Sequence, residues 1–344
     1  MNFEFDFTAA HHACSANEHD PHITKNMMEL VRFIGRFPQW SRLPKLAQIN
    51  VVNFLDYESR LQLAICSRST YSVVKMSPIS IRLLEIHCAP GENGKMGEAF
   101  VRAKFSKHRA RAPKGFIATF VEKRDGETEM KFDGDRVELR TVNYADEAVK
   151  VFERMAKLAG LRVDLLEIDM PESLLTNCSI LKRLDVKQLR LKNREDKEHL
   201  RKTLDLFGLD NKGIRIRGGI EHLTPQLLFH PQIQNADSIE IEDQCKFTDE
   251  AFLGLNGRNI MISTNGVSDS CLNKFIKRWM VGGGPNDFES LTLHPHRLMV
   301  KDKILANIPN TAENFTETYS VKQLHGQRTA VIHISDYLFL ININ

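Results

Sequence analysis

LLEI (165–168), QLRL (188–191), GIRI (213–216), SIEI (238–241), NIMI (259–262) and SLTL (290–293) are six versions of one four-residue word. Each places apolar residues at its second and fourth positions. Alternation of this kind predicts a short strand with one buried face. The words start 23, 25, 25, 21 and 31 residues apart. Helical segments fill the gaps: EDKEHLRKTLDLFG from Glu195, TDEAFLGL from Thr248 and SDSCLNKFIKRWMVGGG from Ser268. A strand and a helix at this spacing is near the leucine-rich-repeat period, although that repeat's Asn/Cys ladder is missing. The expectation is an irregular leucine-rich-repeat-like β/α solenoid over 161–344, each unit burying its apolar face on its neighbours. The polar residues of the words would form a patterned surface along the array.

The last of those helices is the most regular. Leu272, Phe275, Ile276, Trp279 and Met280 make one apolar stripe, and Gly282-Gly283-Gly284-Pro285 stops it. Past residue 296 the pattern weakens, and TAVIHISDYLFLININ predicts one or two terminal strands.

Upstream the period shortens. Residues 77–160 hold ISIRLLEIHC, AFVRAKFS, GFIATFVEK, ETEMKFDG and RVELRT, with Asp-Gly turn signals in RDGE and FDGD. They read as a small antiparallel sheet of hairpins. An amphipathic helix follows through Ala148, Val151, Phe152, Met155 and Leu158, ended by Gly160. The fold class is therefore mixed α/β, α+β overall.

Residues 37–76 differ again. Leu46, Val51, Val52 and Leu55 can share a face of a short helix. Asp56-Tyr57-Glu58-Ser59 can cap a second helix from Arg60, with Leu61, Ala64 and Ile65 on one side and Leu63 and Cys66 flanking. Two or three such helices carry more apolar surface than they can hide among themselves, and short helices are marginal alone. Either the rest of the chain or a partner covers them. Residues 1–36 read as a disordered extension with one short helical pattern at Met27, Leu30, Val31 and Ile34. His11, His12, Cys14, His19 and His22 fit no standard metal spacing.

Composition bounds the chemistry. The chain has 344 residues, 42% apolar and 26% charged, with a net charge of +3. That suits about two soluble domains. Six cysteines are scattered with no C-x-x-C pair, as expected of reduced thiols in the cytoplasm or nucleus. The first residues have no basic n-region, and no apolar run reaches membrane-spanning length. G-x-S-x-G, H-E-x-x-H, the P-loop and the dinucleotide fingerprint are all missing. The sequence therefore nominates no catalytic residue, cofactor or metal. One charge run stands out: Arg102, Lys104, Lys107, Arg109, Arg111, Lys114, Lys123 and Arg124 against Glu98 and Glu122. A solvated loop between strands explains it better than a nucleic-acid contact does.

RLPKLAQINVVNFLDYESRLQLAICSRS resembles an F-box, through Leu43-Pro44, Val51-Val52 and Leu55-Asp56 at the motif's separations. SRLQLAICSRSTYSVV is similar to the form common in the large nematode family of F-box proteins. Tyr57 stands where proline is frequent, and Arg60 where the general motif prefers leucine. FTDEAFLGL through LTL (247–293) resembles that family's type 2 F-box-associated domain, chiefly through LNKFIKRWMVGG and the following FESL. The resemblance implies a non-catalytic substrate receptor. Its F-box would bind a Skp-type adaptor and, through it, a cullin. The C-terminal domain would hold a protein target for ubiquitination. Leu43, Pro44, Leu46, Val51, Val52, Leu55, Leu61 and Ile65 would divide between a local core and the adaptor. An F-box-like module outside a ligase, or a nucleic-acid binder using residues 102–124, are the alternatives.

Overall fold

The computed structural model describes residues 40–344 except 56, 92–95, 107–114, 124–125, 134–135, 193–196, 208–212, 218–224, 246, 286, 313–316 and 325. The sequence reading of residues 1–36 lies outside the described residues. Two compact units emerge. One comprises Met1–Ser80, Lys107–Pro113 and Leu158–Gly160; the other comprises Ile81–Ser106, Lys114–Lys157 and Leu161–Asn344.

The first unit holds a 3₁₀ turn (Trp40–Arg42) and three helices: α1 (Lys45–Phe54), α2 (Tyr57–Cys66) and α3 (Arg68–Lys75). Pro44 opens α1, and its carbonyl accepts from the backbone of Ala47 and Gln48. Ser67 opens α3 with a reciprocal cap: its hydroxyl accepts from Thr70 N–H, while Thr70 Oγ1 accepts from Ser67 N–H. Val52, Leu63, Val73 and Val74 form the core, with Trp40, Ile49, Leu55 and Ala64 packed around it. Two details differ from the sequence reading. Helix α2 begins at Tyr57 rather than Arg60. Leu63, expected to flank the apolar side, is buried in the core.

The second unit is one open sheet of 15 strands. The expected hairpins are β1 (Ile81–Ala89), β2 (Glu98–Phe105), β3 (Gly115–Glu122), β4 (Thr128–Phe132) and β5 (Arg136–Arg140), each antiparallel to the next. After α4 (Tyr144–Leu158) come β6 (Arg162–Asp169), α5 (Glu172–Asn177), β7 (Asp185–Lys192), α6 (Lys197–Asp205) and β8 (Gly213–Arg217). Next are α7 (Pro225–Leu228), α8 (Pro231–Gln234), β9 (Ser238–Cys245), α9 (Asp249–Leu253), β10 (Asn259–Thr264), α10 (Asp269–Met280) and β11 (Ser290–Pro295). All six repeated words are strands. Each lies parallel to the next, and β1 joins the run beside β6. The chain closes with α11 (Lys301–Ile304), β12 (Thr311–Ala312), β13 (Thr318–Lys322), β14 (Thr329–Ser335) and β15 (Leu338–Ile343). Strand β15 returns antiparallel to β11.

Register explains why the words repeat. Leu84, Leu166, Leu189, Ile214, Ile239, Ile260, Leu291 and Ile341 line up across eight strands. Ile86, Ile168, Leu191, Ile216, Ile241, Ile262, Leu293 and Phe339 form a second such row. No member of either row is more than 3% exposed. Because side chains alternate faces along a strand, slipping one strand by one residue would drive both of its apolar members into water. Helix α10 supplies a core stripe of Leu272, Phe275, Ile276, Trp279 and Met280, all buried. Phe275 packs against Phe252 of α9 at 5.5 Å and Phe288 at 5.4 Å between ring centroids. Ser268 caps its start through Cys271 N–H, and Gly282, at φ +80°, follows its end.

Candidate functional site

Helix α1 has two apolar sides. Gln48 and Val52 are buried; Gln48 donates to the Trp40 carbonyl at 2.6 Å and ties the preceding turn to the helix. On the opposite side Leu46 is 69% exposed and Phe54 87%. At 100° per residue, Leu46, Asn50, Asn53 and Phe54 fall within an arc of about 100°, and all four are exposed.

Of the nominated residues, Val52 closes the core and Leu55 packs on it from just beyond the helix end. Leu43 and Val51 are half-buried, while Pro44 and Leu46 are exposed. The side chains of Leu61 and Ile65 lie outside the described residues. The structure thus separates Leu46 from Val52, which a shared face had grouped. It adds Phe54, which sequence reasoning missed. The signal was present: Phe54 lies eight residues after Leu46, which keeps both on one side of a helix.

Arg60 is 3% exposed. Its Nε donates to the Leu55 carbonyl at 3.0 Å, Nη2 to that of Asn53 at 3.2 Å and Nη1 to that of Ser77 at 2.6 Å. Two of these carbonyls end α1, and the third follows α3. Carbonyls at a helix C-terminus lack intrahelical donors, and a guanidinium supplies several in a fixed fork. The cation also complements the negative end of the helix dipole. The residue that departs from the motif therefore clasps the helices together.

The second candidate surface is the strand face opposite the buried rows. In register across the sheet lie Glu85, Glu167, Arg190, Arg215, Glu240, Met261 and Thr292. Arg102 bonds Glu85 at 3.1 Å, Arg190 bonds Glu167 at 2.7 Å, and Arg215 contacts Glu240 at 3.2 Å. Arg215 and Arg217 both engage Glu242. Beside this row, Asp169 holds His87 at 2.6 Å and Lys192 at 3.1 Å, and His87 stacks on Phe100. Burial pushes the carboxyls of Glu85 and Glu240 above the usual range, against the pull of Arg102 and Arg215 respectively. From β10 onward the row is uncharged.

The remaining chemistry is quiet. Among the described residues no cluster of His, Cys, Asp and Glu could hold a metal, and no helix is long and apolar enough to cross a membrane. Burial raises the thiols of Cys178 and Cys271 to about 12, which keeps them protonated at neutral pH. The basic run is partly neutralised, by Glu85 at Arg102 and by Glu129 at Lys123; residues 107–114 lie outside the described residues.

Comparison with known proteins agrees with both resemblances. Residues 40–82 match the family model described as F-box domain. Residues 229–293 match the model described as F-box associated. An uncharacterized F-box protein of Caenorhabditis elegans is 26% identical over 296 residues, covering 80% of this chain and 75% of that protein. No solved structure matches.

Proposed function

We propose that the chain is a substrate-recognition subunit of a Skp–cullin–F-box ubiquitin ligase, acting in the cytoplasm or nucleus. The observation that supports this most is the exposed side of α1. Leu46 and Phe54 lie in water within the segment that matches the F-box model, while Val52 closes the local core from the other side. A helix that shows apolar residues at helical spacing suits a helix-in-groove contact. In this reading Leu46 and Phe54 are the anchors, and Leu43, Pro44, Val51 and Leu55 form the rim, with Leu61 and Ile65 supporting from α2. Anchors of this kind carry most of the affinity.

The division of the chain follows: residues 37–76 bind the adaptor, 77–160 form the hairpin region with its helix, and 161–344 form the target-holding domain. We read 161–344 as a leucine-rich-repeat-like solenoid whose polar rows face the target. The protein makes and breaks no bonds. It holds a target lysine near a charged conjugating enzyme and so raises its effective concentration.

Co-expression with a Skp-type adaptor followed by pull-down tests the reading. Wild type captures the adaptor, and Leu46→Glu/Phe54→Glu loses it while keeping its circular dichroism spectrum. Because neither side chain is in the core, loss cannot be assigned to unfolding when the spectrum is unchanged. Failure of folded wild type to capture the adaptor contradicts the ligase assignment.

A further inference from the structure

Phe54 is the last residue of α1, and its side chain is 87% exposed. Packing therefore does little to hold the ring. Its direction depends on the backbone beneath it, and helix ends fray. The chain leaves α1 at Leu55 in an extended conformation, with φ −78° and ψ 143°. The last turn is then only as firm as the partners of its carbonyls.

Those partners come from one side chain. Arg60 Nη2 donates to the Asn53 carbonyl at 3.2 Å, and Nε donates to the Leu55 carbonyl at 3.0 Å. A single guanidinium thus grips the residues on both sides of Phe54. Its Nη1 donates to the Ser77 carbonyl at 2.6 Å. Ser77 is itself fixed: it is buried, and its hydroxyl donates to the carbonyl of Val73, a member of the local core. A chain of contacts therefore runs from that core through Ser77 and Arg60 to the two neighbours of Phe54. The planar fork of arginine can hold diverging acceptors at once, whereas lysine is a single point on a flexible stem. Leucine, which the general motif prefers at this position, would donate to none of them.

We infer that Arg60 is a positioning residue for adaptor binding. Being buried, it acts through Phe54, which it presents in the orientation that the adaptor's groove takes. An anchor ordered in advance loses less freedom on binding, and the gain appears as affinity. The inference rests on the adaptor reading above and adds to it the residue that makes Phe54 an effective anchor.

The test is calorimetric titration of the full chain with a Skp-type adaptor in four forms: wild type, Arg60→Lys, Phe54→Ala and the double variant. Circular dichroism confirms that each is folded. Arg60→Lys keeps the cation and one donor at a time, so the helices stay clasped. It is expected to weaken binding about tenfold when Phe54 is present and less than about twofold when Phe54 is alanine. Leu46 remains in every form to keep binding measurable. Equal losses in the two backgrounds overturn the proposal, because Arg60 would then merely hold the helices together. Full affinity in Arg60→Lys overturns it too. Failure of folded wild type to bind is a different result: it removes the adaptor reading and this proposal with it.

Amide exchange followed by NMR, without adaptor, supplies a second readout. Leu55 N–H donates to the Val52 carbonyl at the end of α1, and Thr70 N–H donates to the Ser67 hydroxyl at the start of α3. Arg60→Lys should speed exchange at Leu55 and leave Thr70 unchanged. Unchanged exchange at Leu55, or equal acceleration at both, overturns the proposal.

Discussion

Helices α1 and α10 are close in length, at 10 and 12 residues, and they treat apolar residues in opposite ways. In α10 the apolar side chains fall at 271, 272, 275, 276, 279 and 280, one stripe that is wholly buried. In α1 they are spread around the axis, so one core can cover only part of them. Helix α10 has a side-chain cap at Ser268; α1 begins at Pro44 with none. The contrast teaches how to separate a helix that completes a core from one that offers a surface. The first has a single stripe and can be deleted only at the expense of the fold. The second keeps apolar side chains that the fold does not need.

Substitutions sharpen the contrast in order of expected size. Phe275→Ala should destabilise the sheet unit by about 3–5 kcal/mol, because it opens a cavity between Phe252 and Phe288. Chemical denaturation measures it, and a loss under about 1 kcal/mol would mean that α10 is not a core helix. Arg60→Ala should cost about 2–3 kcal/mol, since three carbonyls lose a charged donor together. Hydrogen exchange should report the loss as faster opening of residues 45–77, with the repeat strands unchanged.

A smaller effect is tied to pH. Lys123 and Lys131 hold the Glu129 carboxyl down to about 2. A carboxyl whose folded value is depressed adds stability that is present above its ordinary range, and that is lost as pH falls from about 4.5 to about 2. Glu129→Gln should therefore flatten the acid limb of the stability curve in that window, lowering stability at neutral pH and leaving it unchanged below about pH 2. An unchanged acid limb would show that the ion cluster is inert. The smallest expected change in stability, within about 0.5 kcal/mol, belongs to Leu46→Glu/Phe54→Glu. A large loss on thermal denaturation would place those side chains in a core and erase the distinction from α10.

Much of the sheet was legible in advance because burial imposes a period of two on each strand and stacking imposes the longer period. The six words became strands, and the five hairpin runs did too. The parallel pairing of β1 with β6 was not legible, since hairpins and α4 separate the two and nothing local in ISIRLLEIHC names its distant neighbour. Strands β12 and β13 were missed for want of a strong alternation. In the helical head the apolar positions were visible, but their division between core and surface was not. That division turns on where α1 ends: Leu55 lies beyond the helix and folds back on the core, which leaves Phe54 outside. Arg60 looked like a blemish because its three acceptors are backbone carbonyls, which no residue pattern displays.

Hydrogen–deuterium exchange of the full chain with and without a Skp-type adaptor tests the central claim most directly. The account predicts new protection confined to residues 43–66, strongest over α1, with none in 161–344. Unchanged exchange over α1 in the presence of saturating adaptor, or protection appearing only in the repeat strands, would contradict it.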